Sequence, residues 1–135
     1  MRVTLDTNIY VSALQFGGKP MQLLQMGLEG ALDIAISRPI LDETLRVLRE
    51  KFGWSDDDLR DAEAAISAAT NRVAPRETLD VAQADATDNR IVECAAASSS
   101  ETIVSGDRHL LALGQFRGIT VLRAGDFLLR KIGRT

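Results

Sequence analysis

Short apolar runs alternate along the chain with longer stretches in which apolar residues recur every three to four positions, the signature of strands alternating with amphipathic helices. Residues 3–5 form the first β-prone run, and Asp6-Thr7-Asn8 offers capping side chains before Ile9, Val11, Ala13 and Leu14. Gly17-Gly18 interrupts that helix. Pro20 suits the first turn of a second one, which carries Met21, Leu24 and Leu28 along one face and closes at Gly30. Residues 32–36 read as a buried strand, and Ser37 with Pro39 opens a helix in which Leu41, Leu45, Leu48 and Phe52 keep the 3.6 period until Gly53. Ser55 followed by Asp56, Asp57 and Asp58 starts a helix that reaches about Thr70, because a hydroxyl cap and first-turn acids complement exposed amides. Residues 72–74 predict a short strand and 75–86 mostly loop. Asp88 opens an alanine-rich helix to about Ser98, residues 102–105 form a strand, and Gly106-Asp107 turns into a short helix over 110–113. A strand at 119–122 and a helix at 126–131 complete the pattern.

This alternation predicts an α/β fold of three layers, with a central, mostly parallel sheet of 4–5 strands flanked by helices. At 135 residues, 45% hydrophobic and 26% charged, the chain is expected to form a single domain over 1–135. Its one cysteine, Cys94, lies in the run Ile91-Val92-Glu93-Cys94-Ala95-Ala96, so no intrachain disulfide can form and a small core residue is expected. No apolar stretch approaches a membrane span and the N-terminus runs straight into a strand, so the expected location is cytoplasmic, without membrane association. The net charge of −3 argues against a non-specific electrostatic binder of nucleic acid, and 4% aromatic content leaves little for base stacking.

The candidate chemistry lies in four acids, Asp6, Glu43, Asp88 and Asp107, each at a strand end or on a helix in an order that allows one cleft. Carboxylates buried together without a cation repel and lose hydration, and hard oxygen donors suit Mg²⁺ or Mn²⁺, which in turn recruit phosphate. Each acid also has a local explanation. Asp6 and Asp88 can cap helices, with Thr87 an alternative cap and Asp85 a competitor for any metal role. Glu43 shares a ridge with Ile40 and Val47, where either a partnered carboxylate or a solvated glutamate fits. Asp107 follows Gly106, which permits a sharp turn, and the single histidine, His109, lies beside it. Asp126 reads as a helix cap. Arg46, Arg49, Arg90 and Arg108 are the cations nearest these acids in sequence, with Asp42 and Glu50 as competing partners for the first two.

Four strings taken in order, Leu5-Asp6-Thr7-Asn8, Ile40-Leu41-Asp42-Glu43-Thr44-Leu45, Asp88-Asn89-Arg90-Ile91-Val92-Glu93-Cys94-Ala95 and Ile103-Val104-Ser105-Gly106-Asp107-Arg108-His109-Leu110-Leu111, resemble the PIN-domain family, in particular the toxins of toxin–antitoxin systems related to VapC ribonucleases. The resemblance runs from Arg2 to about Leu129. It implies that Asp6, Glu43, Asp88 and Asp107 are the catalytic acids and hold one or two Mg²⁺ or Mn²⁺ ions, with Asn8 and Ser105 as supporting polar residues and Thr7 in the same opening motif. It further implies hydrolysis of RNA phosphodiester bonds, a cognate antitoxin protein as partner, and a homodimer as a common state. The chain departs from many VapC-type proteins two residues after Asp107, where His109 replaces an acid. A receiver-type phosphotransfer domain would want paired acids early and a lysine after a late strand, and this chain has single Asp6 and Asp107 there. The remaining alternative is a catalytically weak or inactive PIN-like module that binds RNA or a protein partner.

Overall fold

In the computed structural model, which describes residues 1–81 and 86–133, the elements run β1 (Arg2–Leu5), α1 (Thr7–Phe16), α2 (Gly18–Leu28), β2 (Asp33–Ser37), α3 (Arg38–Phe52), α4 (Asp56–Ala69) and β3 (Asn71–Val73). After them come α5 (Ala86–Ser98), β4 (Thr102–Val104), α6 (Arg108–Leu113), β5 (Gln115–Phe116), β6 (Ile119–Leu122) and α7 (Ala124–Gly133). The strands form one sheet in the order β3-β2-β1-β4-β6-β5, parallel throughout except for the β5–β6 pair. This is the expected α/β architecture, a mostly parallel sheet flanked by helices, with one strand more than expected.

Burial on both faces explains why the strands read as continuous apolar runs. Val3 pairs with Ile34 and Thr4 with Ala35. The Thr4 side chain meets Cys94 of α5, whereas Ile34 lies against Gly27 of α2, so α5 and α2 cover opposite faces. Val3, Leu5, Ile34, Ile36, Ile103 and Val121 fill the core between these layers. Cys94 is buried among them, as expected, and burial pushes its thiol up to about 11. A smaller cluster of Val11, Val47, Leu48, Leu59 and Ala62 joins α1, α3 and α4.

The helix ends show which local signals decided the outcome. Ser55 caps α4 by accepting from the Asp58 amide at 3.1 Å, and Gly53 ends α3 in the left-handed conformation that favours glycine. Helix α5 begins at Ala86, so Asp88 lies inside its first turn instead of capping it, and α7 begins at Ala124, which places Asp126 inside a first turn as well. A first-turn acid suits the helix dipole as well as a cap does, and the sequence signals for the two positions overlap. Strand β3 starts one residue earlier than expected, and Leu28 faces solvent at 62% exposure instead of extending the apolar face of α2. The unexpected strand, β5, pairs with β6 around Arg117 and Gly118, both with positive φ, as a two-residue hairpin turn requires. An arginine in that conformation gives no conventional turn signal. Of the segment expected to be loop, residues 75–81 are irregular, while 82–85, including Asp85, lie outside the described residues. No described helix is long and apolar enough to cross a membrane.

Asp33 ties together three strands at one end of the sheet. Its carboxylate accepts from Arg2 Nε at 2.8 Å and from Asn71 Nδ2 at 2.7 Å, and these two hydrogen bonds hold it below the usual carboxylate range. A lowered folded-state value contributes stability above the unfolded value of about 4, and that contribution is lost as pH falls through the folded value. An Asp33→Asn chain is therefore expected to show a shallower loss of thermal stability on acidification below about pH 5 than the native chain, as scanned by circular dichroism.

Candidate active site

The strand order reverses between β1 and β4, since the chain leaves β1 towards β2 on one side and reaches β4 on the other. In open parallel sheets such a reversal opens a crevice beyond the carboxyl ends of the strands. Asp6 follows β1 and Ser105 follows β4 at that point, and the Asp6 amide donates to the Val104 carbonyl at 2.9 Å.

Asp6 is 4% exposed, and its carboxyl is pushed above the usual carboxylate range mainly by burial. A hydrogen bond from Ser105 and the amides of Asn8 and Thr7 oppose that shift, whereas the charge of Asp107 adds to it. Asp6 occupies the N-cap of α1, yet its side chain makes no full capping hydrogen bond, so the helix amides act on it by proximity. Ser105 links the two acids: its hydroxyl donates to Asp6 Oδ2 at 2.6 Å and accepts from the Asp107 amide at 2.9 Å. Asp107 in turn caps α6, with Oδ1 accepting from the amides of His109 at 2.8 Å and Leu110 at 3.1 Å. Both His109 and Arg108 are exposed on the first turn of that helix.

The other two acids are placed differently. Asp88 is buried in the first turn of α5, which packs across β1 and β4. Glu43 is partly exposed on α3 and is held by Arg46, whose Nε donates to Glu43 Oε2 at 3.1 Å and which also reaches Glu50. The structure thus brings Asp6 and Asp107 together through Ser105. Among the described residues, no three acidic, histidine or cysteine side chains lie close enough to hold a metal ion jointly. Asn8 is exposed beside Asp6 and approaches it through its amide, and the Thr7 hydroxyl is buried with no hydrogen-bond partner among the described residues.

The donor chemistry fits a hard divalent ion. Asp6 is a buried carboxylate within electrostatic reach of Asp107, and no ion pair neutralises either one among the described residues. A divalent cation removes both the desolvation and the repulsion.

A further acid escaped the sequence reading. Glu93 is buried on α5, where Oε2 accepts from the Leu79 amide at 2.7 Å and from Arg90 Nη2 at 2.7 Å. With Asn89 Oδ1 accepting from the Val81 amide at 3.0 Å, it fastens residues 79–81 along α5. A lone charge inside the apolar run 91–96 was the available signal.

Comparison with known proteins places this α/β fold in a family. The PIN domain family model matches residues 2–109, and the chain belongs to that family. PIN domains are generally nucleases that use divalent metal ions. No protein with a curated description matches it in sequence. The fold is similar to that in the crystal structure of VapBC2 from Rickettsia felis bound to a DNA fragment from their promoter. The TM-score is 0.61 and the identity 15%, covering 91% of this chain and 98% of that one.

Proposed function

We propose that the chain is a metal-dependent endoribonuclease and the toxin of a toxin–antitoxin pair. The observation that carries this reading is the buried Asp6, bridged by Ser105 to Asp107 at the switch point with no neutralising cation among the described residues. The family supports nuclease chemistry, and the VapBC2 likeness supports an antitoxin partner.

Mg²⁺ or Mn²⁺, when bound, would activate water and neutralise charge at the scissile phosphate. Asp6 and Asp107 would hold it, joined by Asp88 from α5 and by Glu43 once that side chain leaves Arg46. Ser105 helps to fix the rotamer of Asp6 by donating to Oδ2, as the amides of Asn8 and Thr7 also do from the start of α1. The Asp107 cap on α6 orients the second carboxylate in the same way. Attack of water on phosphorus with breaking of the P–O3′ bond, the 3′-oxygen leaving with a proton, would give 5′-phosphate and 3′-hydroxyl ends.

The absence of a three-carboxylate group among the described residues, with Glu43 held by Arg46, favours a second reading: a PIN module that binds RNA or protein without cutting. Incubating a panel of structured and single-stranded RNAs with Mn²⁺, Mg²⁺ or EDTA separates the two. The native chain is expected to cut only with metal. Asp107→Asn, which can still cap α6, is expected to cut nothing, and Ser105→Ala to lose about 10–100-fold in rate. Cleavage that persists in EDTA or in Asp107→Asn would remove the metal-site reading, and RNA bound but uncut under every metal would establish the second one.

A further inference from the structure

A cavity of about 440 Å³ opens at the carboxyl ends of β2 and β3, lined by Ser37, Arg38, Arg72, Arg76, Arg90 and Glu93 among others. Its position follows from register. Ser37 pairs with Val73, and carrying the β1–β2 register one residue further sets Asp6 level with Ser37. The row Val73, Ser37, Asp6 therefore crosses three adjacent strand ends, which puts the cavity about 5–10 Å from Asp6 at the usual strand spacing of about 4.8 Å. Extended alternation turns Asp6, like Thr4 and Ser37, to the face covered by α5, where Arg90 and Glu93 sit.

Four arginines gather here in a chain whose net charge is −3. The acids within reach are already engaged: Glu93 by Arg90 and the Leu79 amide, and Glu77 by Arg117 at 2.7 Å. Arg38 pairs with Asp42 at 3.1 Å, while Arg72 and Arg76 are exposed and form no ion pair among the described residues. Donors in the wall also lack acceptors. Ser37 is the fully buried N-cap of the 15-residue helix α3, but its hydroxyl makes no capping hydrogen bond and has only the weakly polar Cys94 thiol beside it among the described residues. The buried Nε of Arg90 is unpartnered as well. The Arg38 amide at the uncapped start of α3, where Pro39 offers no N–H, the Ser37 hydroxyl and the arginine forks together make a receptor for an anion with several oxygens.

We infer that this cavity holds a phosphate of single-stranded RNA flanking the one at Asp6, and so sets the path of the substrate strand across β1, β2 and β3. The inference rests on the ribonuclease reading for its ligand, and of the arginines nearest the acids in sequence Arg90 alone lines the cavity. Arg46 and Arg49 are spent on Glu43, Glu50 and Asp56 along α3 and α4.

The test uses Arg72→Gln, Arg76→Gln and the double variant, all at exposed positions. Binding of a short fluorescein-labelled single-stranded RNA is read by anisotropy in EDTA across a salt series. With Mn²⁺, RNA cleavage is compared with hydrolysis of bis(4-nitrophenyl) phosphate, which has no flanking phosphate. The double variant is expected to bind RNA several-fold more weakly and to lose about 0.7 from the slope of log Kd against log salt for each contact removed. Its KM for RNA rises while hydrolysis of the small diester stays unchanged. Unchanged RNA affinity and slope would overturn the inference even if cleavage is intact. So would a loss of poly-glutamate binding with RNA binding preserved, which would assign the cavity to an acidic peptide. If neither substrate is hydrolysed by the native chain, the nuclease reading fails and the anisotropy arm still decides the cavity.

Discussion

An Asp6→Asn chain is expected to cut no RNA with Mn²⁺ or Mg²⁺, yet to fold at least as stably as the native chain without metal. The two effects share one cause. In the native fold burial, aided by the charge of Asp107, pushes the Asp6 carboxyl upward, so ionising it at neutral pH works against folding. Asparagine has the same shape, and its carbonyl oxygen still accepts from the Ser105 hydroxyl that now meets Oδ2 at 2.6 Å. The repulsion disappears with the charge, and so does the strongest reason for a cation to bind. Adding Mn²⁺ at about 100 times its Kd is expected to stabilise the native chain by about 2.7 kcal/mol and the variant by nothing measurable. Thermal melts with and without Mn²⁺, run beside the RNA assay, check both halves. A variant still stabilised by Mn²⁺ would show that the ion binds away from Asp6. Activity should fall further than the roughly 10–100-fold expected for Ser105→Ala, because a direct ligand is lost and not its support.

Gly27→Ala is expected to be the most damaging small change in the scaffold. Helix propensity alone would make alanine better there by about 1 kcal/mol. Packing reverses the sign: an added Cβ would lie 2.4 Å from the Ala69 carbonyl oxygen and 2.5 Å from Ile34 Cδ1. The isoleucine can turn, but the carbonyl closes α4 and cannot move without dragging the start of β3. Overpacking of this kind costs about 1–3 kcal/mol, so the urea midpoint should fall by roughly 1 M at an ordinary m-value. Gly106→Ala is the control, since its Cβ would meet nothing within 4 Å. Equal midpoints for the two variants would mean that α2 shifts away from the sheet with little resistance.

Much of the architecture was legible because periodicity and caps agreed. The Ser55 cap and the Gly53 stop bracket the α3–α4 corner as expected, and five strands appear close to their expected positions. Strand β5 was not legible, because two residues are too few for a period and its turn rests on Arg117. At the site, the placement of Asp6 and Asp107 after strands was readable, but the Ser105 bridge between them depends on β1 and β4 being neighbours, 99 positions apart along the chain. Arg46 was credible as a grip on RNA by its nearness to Glu43, and that nearness is what neutralises it. Arg38, Arg72 and Arg76 converge only through strand register, which no local pattern encodes.

The sheet ends in two very short strands, β3 with three residues and β5 with two. A ladder that brief gives another chain few amides and carbonyls to pair with, and on the β3 side the exposed Arg72 and the following Pro75 discourage extension further. Arg72 therefore carries a second duty besides any contact with RNA. Its charge stands at an open margin where it disfavours edge-to-edge pairing with another chain.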